Sequence, residues 1–331
     1  MKALAILAAL LSTGVAAQEV NIYSSRQPEL IDPILSAFTD ETGIAVNIVF
    51  LKKGMLERLK AEGDRSPADI ILTTDIANLN AAVLAGVTQS VTSDIINNTI
   101  PAAYRDPDGQ WFGLTSRARI FYASVDRVAS AEITSYEQLA DDNWRGRICS
   151  RSGTHNYNIA LVAAFLSHHS EEETIAWLTA VKENLARSPQ GNDRAQVKAI
   201  WAGECDIAIG NTYYMGKMLA DPEQVPWAAS VNLIFPTLGG AGTHINLSGM
   251  AMTASAPHAE NALKLMEFLT GDLAQSLYAE VNYEYPLRAD TPASALVAGW
   301  GEFTPDPTPL IDIANLRGRA LQIVEIVDFD G

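Results

Sequence analysis

Three tyrosines, Tyr157, Tyr213 and Tyr214, are the residues of this sequence best suited to bind a charged ligand. A phenol has a pKa of about 10 in water, so its oxygen is anionic at neutral pH only beside a strongly electropositive partner. A hard trivalent cation is such a partner, and three phenolates would balance its charge in a partly dry cleft. The alternative is that these residues are packed aromatics whose hydroxyls are hydrogen-bonded.

The tyrosines lie in polar segments that follow predicted strands. Open α/β sheets bind ligands at the carboxyl ends of their strands, where the next loop and helix begin. We therefore expect three loops to carry the site. These are residues 23–27, 150–157 and 211–214, after the predicted strands 19–23, 146–149 and 205–209.

The two cysteines, Cys149 and Cys205, bear on whether these loops meet. In an oxidising compartment they can pair as a disulfide, and the alternative is two buried free thiols. We expect the disulfide. If it forms, the two strands are neighbours, and Tyr157, Tyr213 and Tyr214 can converge.

The elements that must position these residues alternate between strand and helix patterns. Such alternation calls for mostly parallel sheets with helices on both faces, and the chain length favours two α/β lobes. The further predicted strands are residues 44–51 and 68–72, and the predicted helices are residues 28–42, 55–62, 76–85, 158–168, 171–184 and 193–202.

The composition excludes several classes of protein. The chain has 331 residues, of which 48% are hydrophobic and 19% charged, as in an ordinary globular protein and unlike a disordered, collagenous or coiled-coil one. Its 23 basic and 39 acidic residues give a formal net charge of -16. Such a surface repels phosphate backbones, so nucleic-acid binding is excluded.

The first 17 residues have the pattern of a secretory signal peptide. Lys2 precedes an apolar run over residues 3–11, and the small residues Val15 and Ala17 stand ahead of Gln18. The run is too short for a membrane anchor, which needs about 20 apolar residues. We expect cleavage near Ala17 and a soluble mature protein in an exported compartment.

A set of motifs, in order along nearly the whole mature chain, resembles the periplasmic ferric-ion-binding proteins that serve iron ABC transporters. One motif alone would be weakly specific, but the ordered set is specific. The motifs are Ile22-Tyr-Ser-Ser-Arg26, Ala68-Asp69 with Thr73-Thr-Asp75, Trp111-Phe-Gly-Leu-Thr-Ser-Arg-Ala-Arg119, Cys149-Ser-Arg-Ser152 with Tyr157-Asn158, Gly191-Asn-Asp193, Gly203-Glu-Cys-Asp206, Asn211-Thr-Tyr-Tyr214, His244-Ile-Asn-Leu-Ser-Gly249 and Asn282-Tyr-Glu-Tyr-Pro286.

The resemblance implies a two-lobed, transferrin-like periplasmic binding fold of type II that closes on one ferric ion. Each lobe would contain a mixed, mostly parallel sheet, and crossover strands would form a hinge near residues 117–121 and 235–246. The N-terminal lobe would comprise residues 18–118 and 244–293, and the C-terminal lobe residues 119–243 and 294–331.

The same resemblance places the paired ligand tyrosines of the family at Tyr213 and Tyr214 and its third ligand tyrosine at Tyr157. Related proteins have a histidine or a tyrosine directly after the Ser-Ser-Arg motif, where this sequence has Gln27 and Pro28. Octahedral iron is therefore short of a protein ligand from the N-terminal lobe. We expect water or a bound anion, such as the carbonate that some members use, to fill the vacancy.

Arg26, Gln27, Arg117 and Arg119 are the candidates to hold that anion or to close the site. A guanidinium group matches a planar oxyanion bidentately. Arg117 and Arg119 are alternate residues of one predicted strand and so face the same side. Salt bridges within or between the lobes are the alternative for each arginine.

The histidines are not predicted to be metal ligands. His155 lies in the loop of Tyr157 and could support it, and His244 is expected to have a structural or hinge role. We expect His168 and His169 at a solvated helix end and His258 on the surface.

The sequence thus predicts a periplasmic, monomeric solute-binding protein that captures ferric iron between two lobes and delivers it to an inner-membrane ABC permease without catalysing a reaction. The first alternative is a binding protein for an anion or a small organic solute, such as a polyamine, a sulfonate or a sugar. The second is a secreted hydrolase, for which neither Gly-x-Ser-x-Gly nor His-Glu-x-x-His occurs.

Overall fold

The computed structural model describes residues 18–51, 53–129 and 131–331. The predicted signal peptide, residues 1–17, lies outside the described residues. No helix among the described residues is long and apolar enough to cross a bilayer.

Strands and helices alternate along the chain as the sequence predicts, with bounds that differ by a few residues. The first helix, for example, ends at Gly43, whose φ of 71° is the left-handed conformation that glycine adopts at helix ends. The strands are β1 (Glu19–Ser24), β2 (Ala45–Phe50), β3 (Ile70–Thr73), β4 (Phe112–Ser124), β5 (Ile148–Cys149), β6 (Ile207–Asn211), β7 (Val231–Ile234), β8 (Ile245–Met252) and β9 (Tyr285–Pro286). The helices are α1 (Asp32–Thr42), α2 (Met55–Glu62), α3 (Ile76–Leu84), α4 (Asp94–Thr99), α5 (Asn156–His168), α6 (Glu171–Glu183), α7 (Asp193–Trp201), α8 (Tyr213–Leu219), α9 (Val225–Ala228), α10 (Ala259–Thr270), α11 (Asp272–Asn282), α12 (Ala295–Ala298), α13 (Leu310–Asn315) and α14 (Arg317–Ile326).

The strands form a mixed sheet in the order β2-β1-β3-β8-β4-β6-β5, and β7 and β9 also pair with β4. Strand β1 runs parallel to β2 and β3, whereas β8 runs antiparallel to β3 and β4. On the other side of β4, β6 is antiparallel to β4 and parallel to β5. The sheet is therefore mixed, with parallel pairs towards both edges.

Strand β4 joins the two halves of the sheet. All 13 of its residues are buried. Residues 112–118 pair with β8 and β9, and residues 119–124 pair with β6 and β7. The change of partner falls inside the predicted crossover segment 117–121, so one continuous strand passes from one half to the other.

The predicted disulfide between Cys149 and Cys205 is present, and the two Cα atoms lie 5.9 Å apart. Cys149 ends β5, and Cys205 precedes β6, which is the parallel neighbour of β5. The segments that leave these two strands therefore emerge side by side, which allows the tyrosines that follow them to meet.

The C-terminal helices pack against helices from both halves of the molecule. Helix α13 packs against both α3 and α5, and α14 packs against α5. Asn80 on α3 donates a hydrogen bond of 2.9 Å to the side-chain oxygen of Asn315 at the end of α13. The C-terminal segment thus connects elements that belong to different halves of the sheet.

Candidate functional site

The three tyrosines occupy the first turns of two helices rather than loops. Tyr157 is the second residue of α5, and Tyr213 and Tyr214 are the first two residues of α8. The loop expected over residues 211–214 is wrong because β6 continues to Asn211 and the helix starts two residues later. The Tyr122 hydroxyl donates to the Asn211 carbonyl at 2.6 Å, which fixes the end of the strand.

The tyrosine side chains converge. The hydroxyl oxygens of Tyr157 and Tyr213 lie 3.3 Å apart, within hydrogen-bonding distance. The rings of Tyr213 and Tyr214 are in contact, with centroids 4.2 Å apart. All three side chains are half-buried, so each keeps part of its surface exposed.

The environment keeps two of these phenols protonated in the free protein. Burial raises the pKa of Tyr213 well above its usual value, and negative charge on Tyr157, Tyr214 or Asp193 would raise it further. Burial also raises the pKa of Tyr214, with Asp193 and Tyr157 adding to the effect. Clustered phenols therefore resist ionisation unless a positive charge enters among them.

Three guanidinium groups surround Tyr157. The Cζ atoms of Arg117, Arg119 and Arg151 lie 5.7, 5.8 and 5.3 Å from the centroid of its ring. Their positive charge would attract an anion that entered beside this ring. Arg117 and Arg119 thus lie where the sequence predicted, on the same face of β4.

A buried carboxylate, Asp193, holds two of these arginines in place. Its Oδ2 accepts from Arg119 Nη1 at 2.6 Å and from the Asn211 backbone at 2.9 Å, and its Oδ1 accepts from Arg151 Nη1 at 2.8 Å. Although burial alone would raise the pKa of Asp193, the two arginines hold it below its usual range. Arg119 also donates to Asn158 at 2.7 Å, so most of its donors are used within this network.

Sequence reasoning missed the role of Asp193 and Arg151. Both residues stand inside motifs that carried the resemblance, Gly191-Asn-Asp193 and Cys149-Ser-Arg-Ser152. The sequence did contain a signal for an acidic partner. Several basic side chains were predicted at one place, and buried arginines require a carboxylate partner.

Arg117 donates to neutral groups, in contrast to Arg119. One of its terminal nitrogens donates to the Thr74 carbonyl, and Nη1 lies 3.2 Å from the Ser248 hydroxyl. Its guanidinium group is buried, and its charge also acts on the nearby buried carboxyl of Asp75. Of the three arginines beside Tyr157, Arg117 is therefore the best placed to bind a ligand.

Arg26 and Gln27 have different environments. Arg26 is buried and paired with Glu284, with 3.0 Å between Nη2 and Oε2. Burial alone would lower the pKa of Arg26, but the Glu284 carboxylate and the phenols of Tyr278 and Tyr213 raise it, which places its charge near the tyrosine cluster. Gln27 is exposed, and its carbonyl accepts from the Leu30 amide. Among the described residues no hydrogen bond joins the Gln27 side chain to the cluster.

A small cavity adjoins Tyr157 on the side of β4. Three of its lining residues, Arg119, Asn211 and His244, each have a buried nitrogen without a partner in the described part of the chain. Burial lowers the pKa of His244 to about 3, so its imidazole is neutral. Such a polar cavity suits an ordered water molecule. The cavity is lined by Arg117, Arg119, Tyr157, Ala160, Asn211, His244 and Asn246.

His155 supports the tyrosine cluster and His244 lines the cavity beside Tyr157, whereas His168 and His169 have partners elsewhere. The Nδ1 atom of His155 caps α5 by accepting from the Tyr157 amide at 3.2 Å. His168 and His169 are half-buried and lie 2.6 Å from Asp306 and 3.0 Å from Glu137, so the expected solvated helix end is not observed. Within the described residues no group of three or more His, Cys, Asp or Glu side chains is arranged to hold a metal ion.

A strand shared by two half-sheets and a polar cluster at the ends of neighbouring strands define a solute-binding protein. The chain belongs to the family of bacterial extracellular solute-binding proteins, whose model matches residues 34–305. It is 44% identical over 310 residues to iron uptake protein A1 of Synechocystis sp. strain PCC 6803, a match that covers 93% of this chain and 86% of the relative.

Solved structures of similar proteins confirm the two-lobed, type II fold class. The apo ferric ion-binding protein A of Pasteurella haemolytica superposes with a TM-score of 0.91 at 47% identity, covering 95% of this chain and 99% of the other. A Trichodesmium protein solved in complex with iron and citrate ligands superposes with a TM-score of 0.88 at 36% identity, covering 94% and 99%.

Proposed function

We propose that this protein binds one ferric ion through the phenolate oxygens of Tyr157, Tyr213 and Tyr214 and delivers it to an ABC permease. The observation that carries the proposal is the convergence of the three side chains, with two hydroxyl oxygens 3.3 Å apart. Phenolates are hard, anionic donors that suit a trivalent cation. The similarity to iron uptake protein A1 and to a ferric ion-binding protein supports the same cargo.

Charge balance supports a ferric cargo. Three phenolates cancel the three charges of the ion, and the Asp193 carboxylate is already paired with Arg119 and Arg151. The ion would replace three protons, which removes the cost of burying free phenolates.

Water or an anion would complete the coordination. The exposed position of Gln27 supports this part of the proposal, because Gln27 stands where related proteins supply a ligand. Arg117 is the arginine best placed to hold a carbonate or carboxylate group, since its hydrogen bonds go to neutral oxygens. Arg26, near Tyr213, is the second candidate, and Arg119 has fewer free donors.

The lobe assignment is part of the proposal. The change of partners along β4 after Ala118 supports an N-terminal lobe of residues 18–118 and 244–293 and a C-terminal lobe of residues 119–243 and 294–331. The cluster would then bind the ion from the C-terminal lobe, and Arg26 would face it from the N-terminal lobe.

We also propose that residues 1–17 are removed and that the protein is exported to the periplasm. It would deliver iron to an inner-membrane permease as a monomer. Membership of an extracellular solute-binding family supports export. We propose no catalysed reaction, because the relatives named above are described by uptake or binding.

A second candidate function is the binding of an anion or a small organic solute without iron. The three guanidinium groups around Tyr157 favour it, since they would attract a carboxylate or sulfonate group. In that case the tyrosines would stack on the ligand.

A visible absorption titration with ferric citrate separates the two candidates. Tyrosinate coordination gives an intense phenolate-to-iron band that saturates at one equivalent. A folded protein without the band, but stabilised against heat by citrate alone, would support the second candidate.

A further inference from the structure

The helix that carries Tyr213 and Tyr214 also contacts the end of α11 in the other half of the molecule. Gly216 lies one turn after Tyr213 and is buried against the ring of Tyr283. A Cβ atom added to Gly216 would lie 2.2 Å from Cγ and 2.6 Å from Cδ1 of that ring. The ring therefore packs directly on the backbone of α8, and only glycine at position 216 permits this approach.

The backbone of Tyr283 is unusual. It caps the C-terminus of α11 with φ 59° and ψ 33°, a left-handed conformation that glycine usually supplies at this position. For a bulky residue this conformation costs free energy, so it persists only where its surroundings enforce it. The conformation directs the ring onto Gly216, which points to a role for the contact.

The residues on either side of Tyr283 anchor it to the half of the molecule that contains Arg26. The side chain of Asn282 donates to the Leu30 carbonyl at 2.8 Å. The buried carboxylate of Glu284 is paired with Arg26 and accepts from the Thr115 hydroxyl at 2.7 Å. Tyr283 is thus fixed between two buried anchors.

Lys217 makes a second link between the same elements. Its Nζ donates to the Val281 carbonyl in the last turn of α11 at 3.0 Å and lies 5.5 Å from the centroid of the Tyr283 ring. A cation at the C-terminus of a helix is favourable because it neutralises unpaired carbonyl groups. Gly216 and Lys217 therefore both bind the end of α11.

We propose that this contact is an interlobe latch, formed by Gly216, Lys217, Val281 and Tyr283, that holds the cleft closed over the tyrosine cluster. The inference rests on the proposed lobes and cargo. Because Gly216 and Tyr213 are on the same short helix, opening of the latch would separate the cluster from Arg26. The latch would therefore control the rate at which bound iron is released.

The test uses Gly216→Ala, with Gly318→Ala as the matched control. Gly318 is also a helical glycine, but it is exposed and an added Cβ there meets nothing within 4 Å. A third variant, Tyr283→Gly, removes the ring and keeps a residue that favours the left-handed conformation. Each variant is loaded with ferric citrate, and release to excess EDTA is followed by loss of the phenolate-to-iron band, with X-ray scattering of the loaded protein as the measure of closure.

We expect Gly216→Ala to release iron about tenfold faster and to have a larger radius of gyration, and Gly318→Ala to match the wild type. Tyr283→Gly should release iron at a similarly raised rate, and adding Gly216→Ala to it should have no further effect, because the ring is already gone. Release of iron from Gly216→Ala at the wild-type rate would overturn the latch. So would a double variant in which the effects of the two substitutions on the release rate are fully additive.

Failure of the proposed cargo gives a different result. If the wild type shows no band with ferric citrate, iron binding through tyrosinate is refuted. The latch is then judged by scattering alone, where a radius of gyration that is the same in Gly216→Ala and the wild type contradicts it.

Discussion

The hydroxyl oxygens of Tyr157 and Tyr213 lie 3.3 Å apart, although 56 residues separate them along the chain. The disulfide between Cys149 and Cys205 and the parallel pairing of β5 with β6 bring them together. The meeting point is buried enough to raise the pKa of Tyr213, although both side chains stay partly exposed.

Replacing Tyr213, a proposed ligand, should abolish tight iron binding. We expect Tyr213→Phe to weaken ferric binding by at least about 100-fold, more than the loss of a group that only supports a ligand. The phenolate-to-iron band should weaken in parallel. Both effects are measured by competition with citrate, followed through the absorbance of this band.

Tyr104→Phe is the matched control for this substitution. Burial raises the pKa of Tyr104 as it does that of Tyr213, but Tyr104 lies in a short 3-10 helix before β4. In Tyr104→Phe the iron affinity and the intensity of the phenolate-to-iron band should stay at wild-type values. Equal losses in both variants would mean that Tyr213 acts through stability and is not a ligand.

Iron affinity should fall as the pH falls. The raised pKa values of Tyr213 and Tyr214 mean that both phenols are protonated in the free protein near neutral pH. Each phenol that becomes a ligand releases one proton, so three ligands would change the affinity by up to about a thousandfold per pH unit. Titrations in weak buffer should release protons as iron binds, and an affinity that does not change between pH 6 and 8 would contradict phenolate ligation.

The buried carboxylate of Asp193 should be essential for stability. Asp193→Asn leaves Arg119 and Arg151 without their counter-charge, and breaking such a pair costs about 3–5 kcal/mol. Because the pKa of Asp193 is lowered in the folded protein, this contribution is present above about pH 4 and is lost as the pH falls through the folded value. Urea unfolding at pH 7 measures the loss.

Asp142→Asn provides the comparison for Asp193→Asn. Asp142 also pairs with an arginine, Arg145 at 3.1 Å, but its side chain is 92% exposed. Its removal should leave the unfolding midpoint unchanged, since solvent screens exposed pairs. A similar midpoint for the two variants would mean that the buried pair is not what stabilises the fold.

Local patterns predicted most of the fold, because alternation and helical spacing are properties of neighbouring residues. The start of β1 at Glu19 and the end of α1 before Gly43 agree with the sequence. The tyrosines were predicted in loops because polar residues follow each strand. The position of Tyr213 and Tyr214 in the first turn of α8 depends on how long β6 stays paired with β4, which no local pattern reports.

The network behind the site could not be predicted because its members are distant in sequence. Arg119 and Asp193 are 74 residues apart and meet only when α7 packs beside β6. For the same reason the contact of His168 with Asp306, 138 residues later, was not predicted. Residue type indicated that charges would need partners, and only the packing identified them.

The disulfide should contribute strongly to stability. Cys149 and Cys205 are separated by 56 residues, and closing a loop of that length stabilises a fold by about 4 kcal/mol in the chain-entropy description. The double variant Cys149→Ser/Cys205→Ser should therefore unfold at a much lower urea concentration. Reduction of the wild type should lower its midpoint to the same extent, and reduction should not affect the double variant. A double variant as stable as the oxidised wild type would contradict this prediction.

His244 should make the protein less stable in mild acid even without iron. Burial lowers the pKa of its imidazole to about 3, whereas the unfolded chain has the usual value of about 6.5. Between these values the unfolded state binds more protons, so stability falls as the pH drops below about 6.5, by roughly 2 kcal/mol at pH 5.

His244→Gln cannot titrate and should lose less stability between pH 7 and pH 5 than the wild type, measured by urea unfolding. His258→Gln, at a half-buried histidine beside Asp69, serves as the comparison. If His244→Gln and the wild type lose the same stability over this range, His244 is not the group responsible.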